Sequence, residues 1–249
     1  MDFSSHTLAL IIAIFLLAGG VKGLIGVGLP TVALAVLINV VPLRDAIMLI
    51  VVPSIATNVW QAVGGGHGLA MVKRFWPFLA TLCVGTWLGV GILAKTDQTL
   101  LSAILGGILA LYAIINLMQP VPPPPGRHEP WISPVLGLVN GLISGATGSY
   151  AFPSVVYLEA LRLGRDELIQ GMGLIFLTAS CALGLSLTGR GVMNLEHAAM
   201  SAIALAPSLI GYYLGEHYRR RLPQQIFRRI FLIGLLFLGG YTAVSHLFF

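Results

Sequence analysis

Residues 19–34 read GGVKGLIGVGLPTVAL, and residues 137–156 read GLVNGLISGATGSYAFPSVV. Each stretch places several glycines and then a proline, Pro30 or Pro153, inside a long apolar run. Glycine permits strained backbone, and proline removes a donor and breaks the helical ladder. A break at that point leaves N–H groups unpaired at the start of the next helix, where the helix dipole adds partial positive charge. Together they form an anion site. The groups after the breaks are Gly28 to Thr31 and Gly148 to Ser149, with Gly26 in the first turn of the motif. Thr31, Thr147, Ser149 and Tyr150 add hydroxyl donors. None of these residues is acidic, which suits an anion better than a metal cation, and no cofactor is expected.

Lys22 sharpens the expectation. It is the single charge between Phe3 and Leu43. A cation in the hydrocarbon region costs about 2.5–3.5 kcal/mol on insertion scales. Its functional reading is a counter-charge for a bound anion. Its bland reading is a lysine that snorkels to the interface or pairs with backbone carbonyls. The matching position in the second stretch is Asn140, which is neutral. Asn58 and Gln61, one turn apart, are the strongest polar groups of the second apolar segment. Thr178 matches Asn58 in the repeat described below, with Ser180 nearby and Pro53 poised to kink the helix. These amides and hydroxyls line a cavity, or they serve as interhelical bonds worth about 0.6 kcal/mol each.

Other chemistry is weaker. The chain has no GxxxxGK[ST], no HExxH and no GxSxG, and Gly26–Val27–Gly28 fails as a dinucleotide fingerprint at its third glycine. An enzyme is not expected. Glu196 and His197, near a segment end, read as interfacial anchors before proton carriers, and His67 in GGGHG reads as a loop residue. Cys83 and Cys181 fall inside apolar segments and are expected to be buried free thiols.

The elements that must hold these residues follow from composition. Of 249 residues, 57% are apolar and 9% are charged, against about 25% charged in a soluble domain. Mean hydropathy is +0.90. Too little charge is present to cover a water-soluble globule, which excludes soluble enzymes and nucleic-acid binders. The expected class is an all-α polytopic membrane protein. A span needs about 20 apolar residues, and eight segments fit: about 7–41, 46–65, 75–95, 99–118, 131–160, 167–188, 196–216 and 229–248. The chain opens on Asp2 without a basic region, so the first segment is expected to be retained. The net charge of +5 does not point to nucleic acid. Arg219, Arg220, Arg221, Arg228 and Arg229 cluster beside one segment, as a cytoplasmic topology signal would.

Residues 119–130, QPVPPPPGRHEP, form a proline-rich linker between a first repeat, 1–118, and a second, 131–249. Gly19, Gly23, Leu24 and Ile25 recur 118 positions later, and Arg44–Asp45 recurs 121 later. Leu79, Ala80, Gly85, Leu88 and Gly89 recur 126 later, and Tyr112 recurs 129 later. Such duplication typifies secondary transporters. The pairs Gly85/Gly89 and Gly211/Gly215 read as close helix contacts. The first segment of each half is too long for one span and too short for two, so it breaks, as a discontinuous span or a re-entrant hairpin. A discontinuous span makes the repeats parallel and a hairpin makes them inverted. Positive-inside counts favour neither, at nine against four and ten against three. Both place the two termini outside.

GGVKGLIGVGLP resembles the glycine-rich first motif of the sulfite exporter TauE/SafE family, and GLVNGLISGATGSYAFP is similar to its second. The resemblance covers nearly the whole chain. It implies a permease in the cell (inner) membrane for sulfite, sulfoacetate or another organosulfonate, moved by alternating access. Gly23, Gly26, Gly28, Pro30, Gly141, Gly145, Gly148 and Pro153 would be motif residues. Leu29–Pro30 and Thr147 depart from the usual glycine runs. The expected partners are a small anion, the bilayer and a coupling ion, H+ or Na+, with a homo-oligomer left open. The competing class is a non-transporting assembly or scaffold protein.

Overall fold

The computed structural model describes residues 5–64, 66–118, 123–219 and 224–248. Arg220 and Arg221 of the basic cluster, and residues 119–122 of the linker, lie outside these. The protein is all-α: 86% of the described residues are helical, and no strand occurs among them. Its helices are α1 (Ser5–Ile25), α2 (Leu29–Leu37), α3 (Leu43–Val63), α4 (Gly68–Lys95), α5 (Gln98–Met118), α6 (Glu129–Thr147), α7 (Ser154–Ala160), α8 (Arg165–Gly189), α9 (Leu195–Ile203), α10 (Leu205–Tyr218) and α11 (Gln224–Phe248).

Seven helices are long and apolar enough to cross a membrane among the described residues, with α9 and α10 counted as one, which is consistent with about eight hydrophobic segments. The fifth expected segment is the exception. It divides into α6 and α7, and α6 carries Ser133, Asn140, Ser144 and several glycines. α1 shows why such helices suit lipid. Ile11, Ile14, Phe15, Ala18 and Lys22 form one buried stripe, while Leu16 and Leu17 on the other face are apolar and exposed. Cys83 is also exposed, against expectation, and Cys181 is half-buried. An apolar thiol on an outward helix face is covered by acyl chains as well as by protein.

The chain forms two compact units, each drawing helices from both halves of the sequence. The first comprises Met1–Pro53, Thr96–Gln119 and Met193–Phe249; the second comprises Ser54–Lys95 and Pro120–Val192. In the first unit α1 packs on α10 and α5 on α11. The repeat glycines explain the α1–α10 pair. A Cβ at Gly19 would overlap the Ser208 carbonyl, one at Gly23 the Tyr212 carbonyl, and one at Gly211 or Gly215 the Leu16 or Gly20 carbonyl. Contacts advance together along both helices, so the pair is parallel. Backbones this close exchange weak Cα–H···O contacts that any larger side chain would prevent. α5 and α11 instead run antiparallel. Arg228 Nη2, at the start of α11, donates to Asn116 Oδ1 at the end of α5 (2.8 Å), and Gly106 meets Gly239 and Ala243 farther along.

The second unit repeats the device with α4 and α6. Gly85 and Gly89 face the Leu138 and Leu142 carbonyls, and Gly137, Gly141 and Gly145 face Phe78, Leu82 and Thr86. α8 packs against the same α4.

Pro53 leaves the Leu49 carbonyl without its helical donor. Ser201 Oγ supplies one at 2.8 Å and accepts from the Val52 N–H at 3.1 Å. α3 therefore tolerates proline at mid-helix because a serine from α9 repairs the ladder.

Candidate functional site

Both expected breaks are present, between α1 and α2 and between α6 and α7. Gly26 and Gly28 hold φ of +82° and +127°, and Gly148 holds +76°. These left-handed values are what glycine allows without penalty. The family-motif glycines thus divide into two kinds. Gly23, Gly141 and Gly145 admit a neighbouring helix, and Gly26, Gly28 and Gly148 turn the chain.

At each break the chain turns back on itself. Gly28 lies beside Val21: a Cβ there would stand 3.1 Å from Val21 Cγ1. A continuing helix would carry residue 28 about 10 Å beyond residue 21. At the second break Asn140 Nδ2 donates to the Tyr150 carbonyl (3.0 Å) and the Phe152 carbonyl (3.1 Å). Asn140 lies two turns before the end of α6, so the loop folds back along that helix.

In the first unit the break is framed by Lys22, Gly26, Gly28 and Thr31. Lys22 is 1% exposed and is the one charged side chain fully buried among the described residues. Its carbonyl accepts the Gly26 N–H, and the Gly28 carbonyl accepts the first helical donor of α2, Val32. The N–H groups of Leu29 and Thr31 precede that bond, and Pro30 has none. Thr31 Oγ1 is buried without a hydrogen-bond partner.

In the second unit the break sits among neutral polar groups from three helices. The Tyr150 hydroxyl and Ser54 Oγ approach each other with Asn58 nearby, yet neither hydroxyl completes a hydrogen bond. Asn58 Nδ2 reaches Ser180 Oγ at 3.5 Å, and Phe176 packs on the Tyr150 ring at 5.2 Å. Asn140 Oδ1, Ser144 Oγ and Ser149 Oγ are also buried and unsatisfied. Unpaired buried polar atoms are costly, and a cluster of them asks for a ligand or ordered water. No carboxylate belongs to the cluster.

Other expected residues are placed differently. The N–H of Gly148 already donates to Ser144 O (2.8 Å), and that of Ser149 to Thr147 Oγ1 (3.4 Å). The second break therefore offers side-chain hydroxyls more than free amides. Thr147 and Thr178 donate to carbonyls of their own helices, Ile143 and Leu174. Gln61 donates to Ile169 O, and Gln170 holds the opposite edge through Ala62 O and the His67 N–H. His197 closes a cap on α9 with Asn194. Ser54 and Ser144 joined the cluster without a sequence signal, since single serines in apolar helices are common. Asn140 had one: it replaces the lysine of the first stretch.

The sulfite exporter TauE/SafE family profile matches residues 11–242. The chain belongs to this family. The match takes in both glycine stretches, both breaks and all but the ends of the outermost helices. No curated protein and no solved structure matches the chain. As a TauE/SafE protein it is a multi-pass membrane protein of the transporter class.

Proposed function

We propose that this TauE/SafE protein is a secondary permease that moves a small oxyanion, such as sulfite, sulfoacetate or another organosulfonate, by alternating access. The observation that carries the reading is the cluster of buried, unsatisfied hydroxyl groups around the second break: Ser54, Ser144, Ser149 and Tyr150. Hydroxyl donors without a carboxylate favour an anion, and their burial gives a desolvated oxyanion the hydrogen bonds it loses from water. At the first break Lys22 supplies charge, with Thr31 and the start of α2 as donors. Asn58, Gln61 and Thr178 add polar groups in the same unit as the second break.

Two repeats, 1–118 and 131–249 about the proline-rich linker, supply the moving parts. α5 and α11, the last helix of each, run antiparallel, which supports inverted repeats. The location is the cell (inner) membrane with both termini outside, following the basic cluster before α11. A coupling ion, H+ or Na+, drives the cycle.

Flux of labelled sulfite and sulfoacetate into proteoliposomes tests the reading. Saturable uptake is expected, with a strong loss in Tyr150→Phe. No uptake of either anion, together with no thermal stabilisation by them, would support the scaffold alternative.

A further inference from the structure

An open pocket lies in the second unit, away from the break. It measures about 440 Å³ and is lined by Arg74, Pro77, Arg127, Glu129, Pro130 and Ser133. Arg74 belongs to the start of α4, Arg127 to the short 3-10 turn at Gly126–His128, and Glu129 and Ser133 to the first turns of α6. Arg74 is held by a two-pronged bond to Glu129 (2.8 and 2.9 Å). That pair is internally neutral. Arg127 is exposed and makes no ion pair among the described residues, so the wall carries one unbalanced positive charge.

The floor of the cavity is unfinished. Ser133 is 3% exposed, and its Oγ has no hydrogen-bond partner. The Tyr157 hydroxyl approaches it but completes no bond either. Tyr157 is fixed by stacking on Phe78 (5.5 Å, 5°) and an edge contact with Phe75. A rigid, buried hydroxyl pair beneath an unbalanced guanidinium is a donor set for one singly charged oxyanion group. Depth gives its source. Charged residues gather at these helix ends, while Trp76 and Trp131 stand exposed on the outer faces beside Arg74 and Glu129. Exposed tryptophans mark the headgroup level of a bilayer, and Val135, one turn past Trp131, is exposed and apolar where an acyl chain would run.

We infer that this cavity binds the phosphodiester of a phospholipid headgroup, with Arg127 and Ser133 as its donors and the Arg74–Glu129 pair as its wall. The site is distinct from the two breaks, and its test does not depend on transport. The purified protein is compared by native mass spectrometry with phosphatidylglycerol, with diacylglycerol of the same chains, and with inorganic phosphate. Phosphatidylglycerol should be retained and diacylglycerol should not. The Arg127→Gln, Ser133→Ala double variant should weaken retention at least about tenfold, as loss of charge-assisted bonds does. Lys95→Gln, an exposed charge elsewhere in the same unit, should leave retention unchanged. Wild-type retention by the double variant, an equal loss in Lys95→Gln, or equal retention of diacylglycerol overturns the site. Inorganic phosphate bound as tightly as the lipid overturns the lipid assignment in favour of a soluble ion. Should the double variant fail to fold, Arg127→Gln alone, at an exposed position, gives the same readout.

Discussion

At the first break Lys22 is buried one turn ahead of Gly26, and α2 turns back beside α1. At the second, the residue 118 positions later is Asn140, whose amide holds the carbonyls of Tyr150 and Phe152. The backbone device is the same in both. Glycines in left-handed conformation turn the chain, and glycines on the preceding helix admit a partner helix. The chemistry differs: a charge on one side, and a neutral tether with unsatisfied hydroxyls on the other. A frame can be duplicated while its side chains diverge, because close helix packing depends on missing Cβ atoms and ligand contacts depend on polar ones. One buried charge also limits the desolvation cost; a second lysine at Asn140 would double it.

The largest effect should come from the shared frame. Gly141→Val drives a branched side chain into the Leu82 carbonyl and the Thr86 amide. We expect a loss of about 3 kcal/mol or more, read as a collapse of the thermal transition. Gly107→Ala, where nothing lies within 4 Å, should be neutral or slightly stabilising. An unchanged Gly141→Val protein would remove the close-packing account of the repeat.

The charge difference comes next. Lys22→Asn makes the first break like the second and should lower sulfite flux at least about tenfold, a change of ~1.4 kcal/mol, without lowering stability. Flux equal to wild type would end the counter-charge role. Asn140→Leu should instead cost stability, about 1–3 kcal/mol for the orphaned carbonyls, measured by thermal melting.

The two turns differ as well. Gly28→Ala at φ +127° lies outside the left-handed well and should cost about 1–3 kcal/mol. Gly148→Ala at +76° lies close to that well and should cost nearer ~1 kcal/mol. Equal melting temperatures for the two would contradict the backbone difference.

The smallest effect lies outside both breaks. Asp97 caps α5 by accepting from the Leu100 and Thr99 N–H groups, and the Leu100 bond is the main cause of its lowered pKa. A depressed carboxylate stabilises above its unfolded pKa of about 3.9 and loses that stabilisation as pH falls through its folded value. Wild type should melt slightly lower as pH falls below about 4, and Asp97→Asn should show a smaller change there.

Much of this was legible from residues alone. Scarce charge requires a membrane protein, because uncharged runs of this length have no other stable solvent. The glycine spacing identified both breaks, since glycine permits the turn and Pro30 and Pro153 sit at the start of the helix that follows. The recurrence of Gly85 and Gly89 at Gly211 and Gly215 anticipated the close helix pairs. Tertiary structure decided what local pattern could not. That the chain folds back at both breaks depends on which residues lie beside Val21 and Asn140. The pairing of α1 with α10 and of α4 with α6, across the halves, is a choice among equally apolar faces. Ser54, Ser144 and Asn140 acquire meaning only from neighbours far away in the chain, because a lone serine or asparagine in an apolar helix looks the same whether it bonds its own backbone or faces a cavity. Sequence by itself determined the solvent and the places where the chain must bend; long-range packing determined which polar atoms were left without a partner.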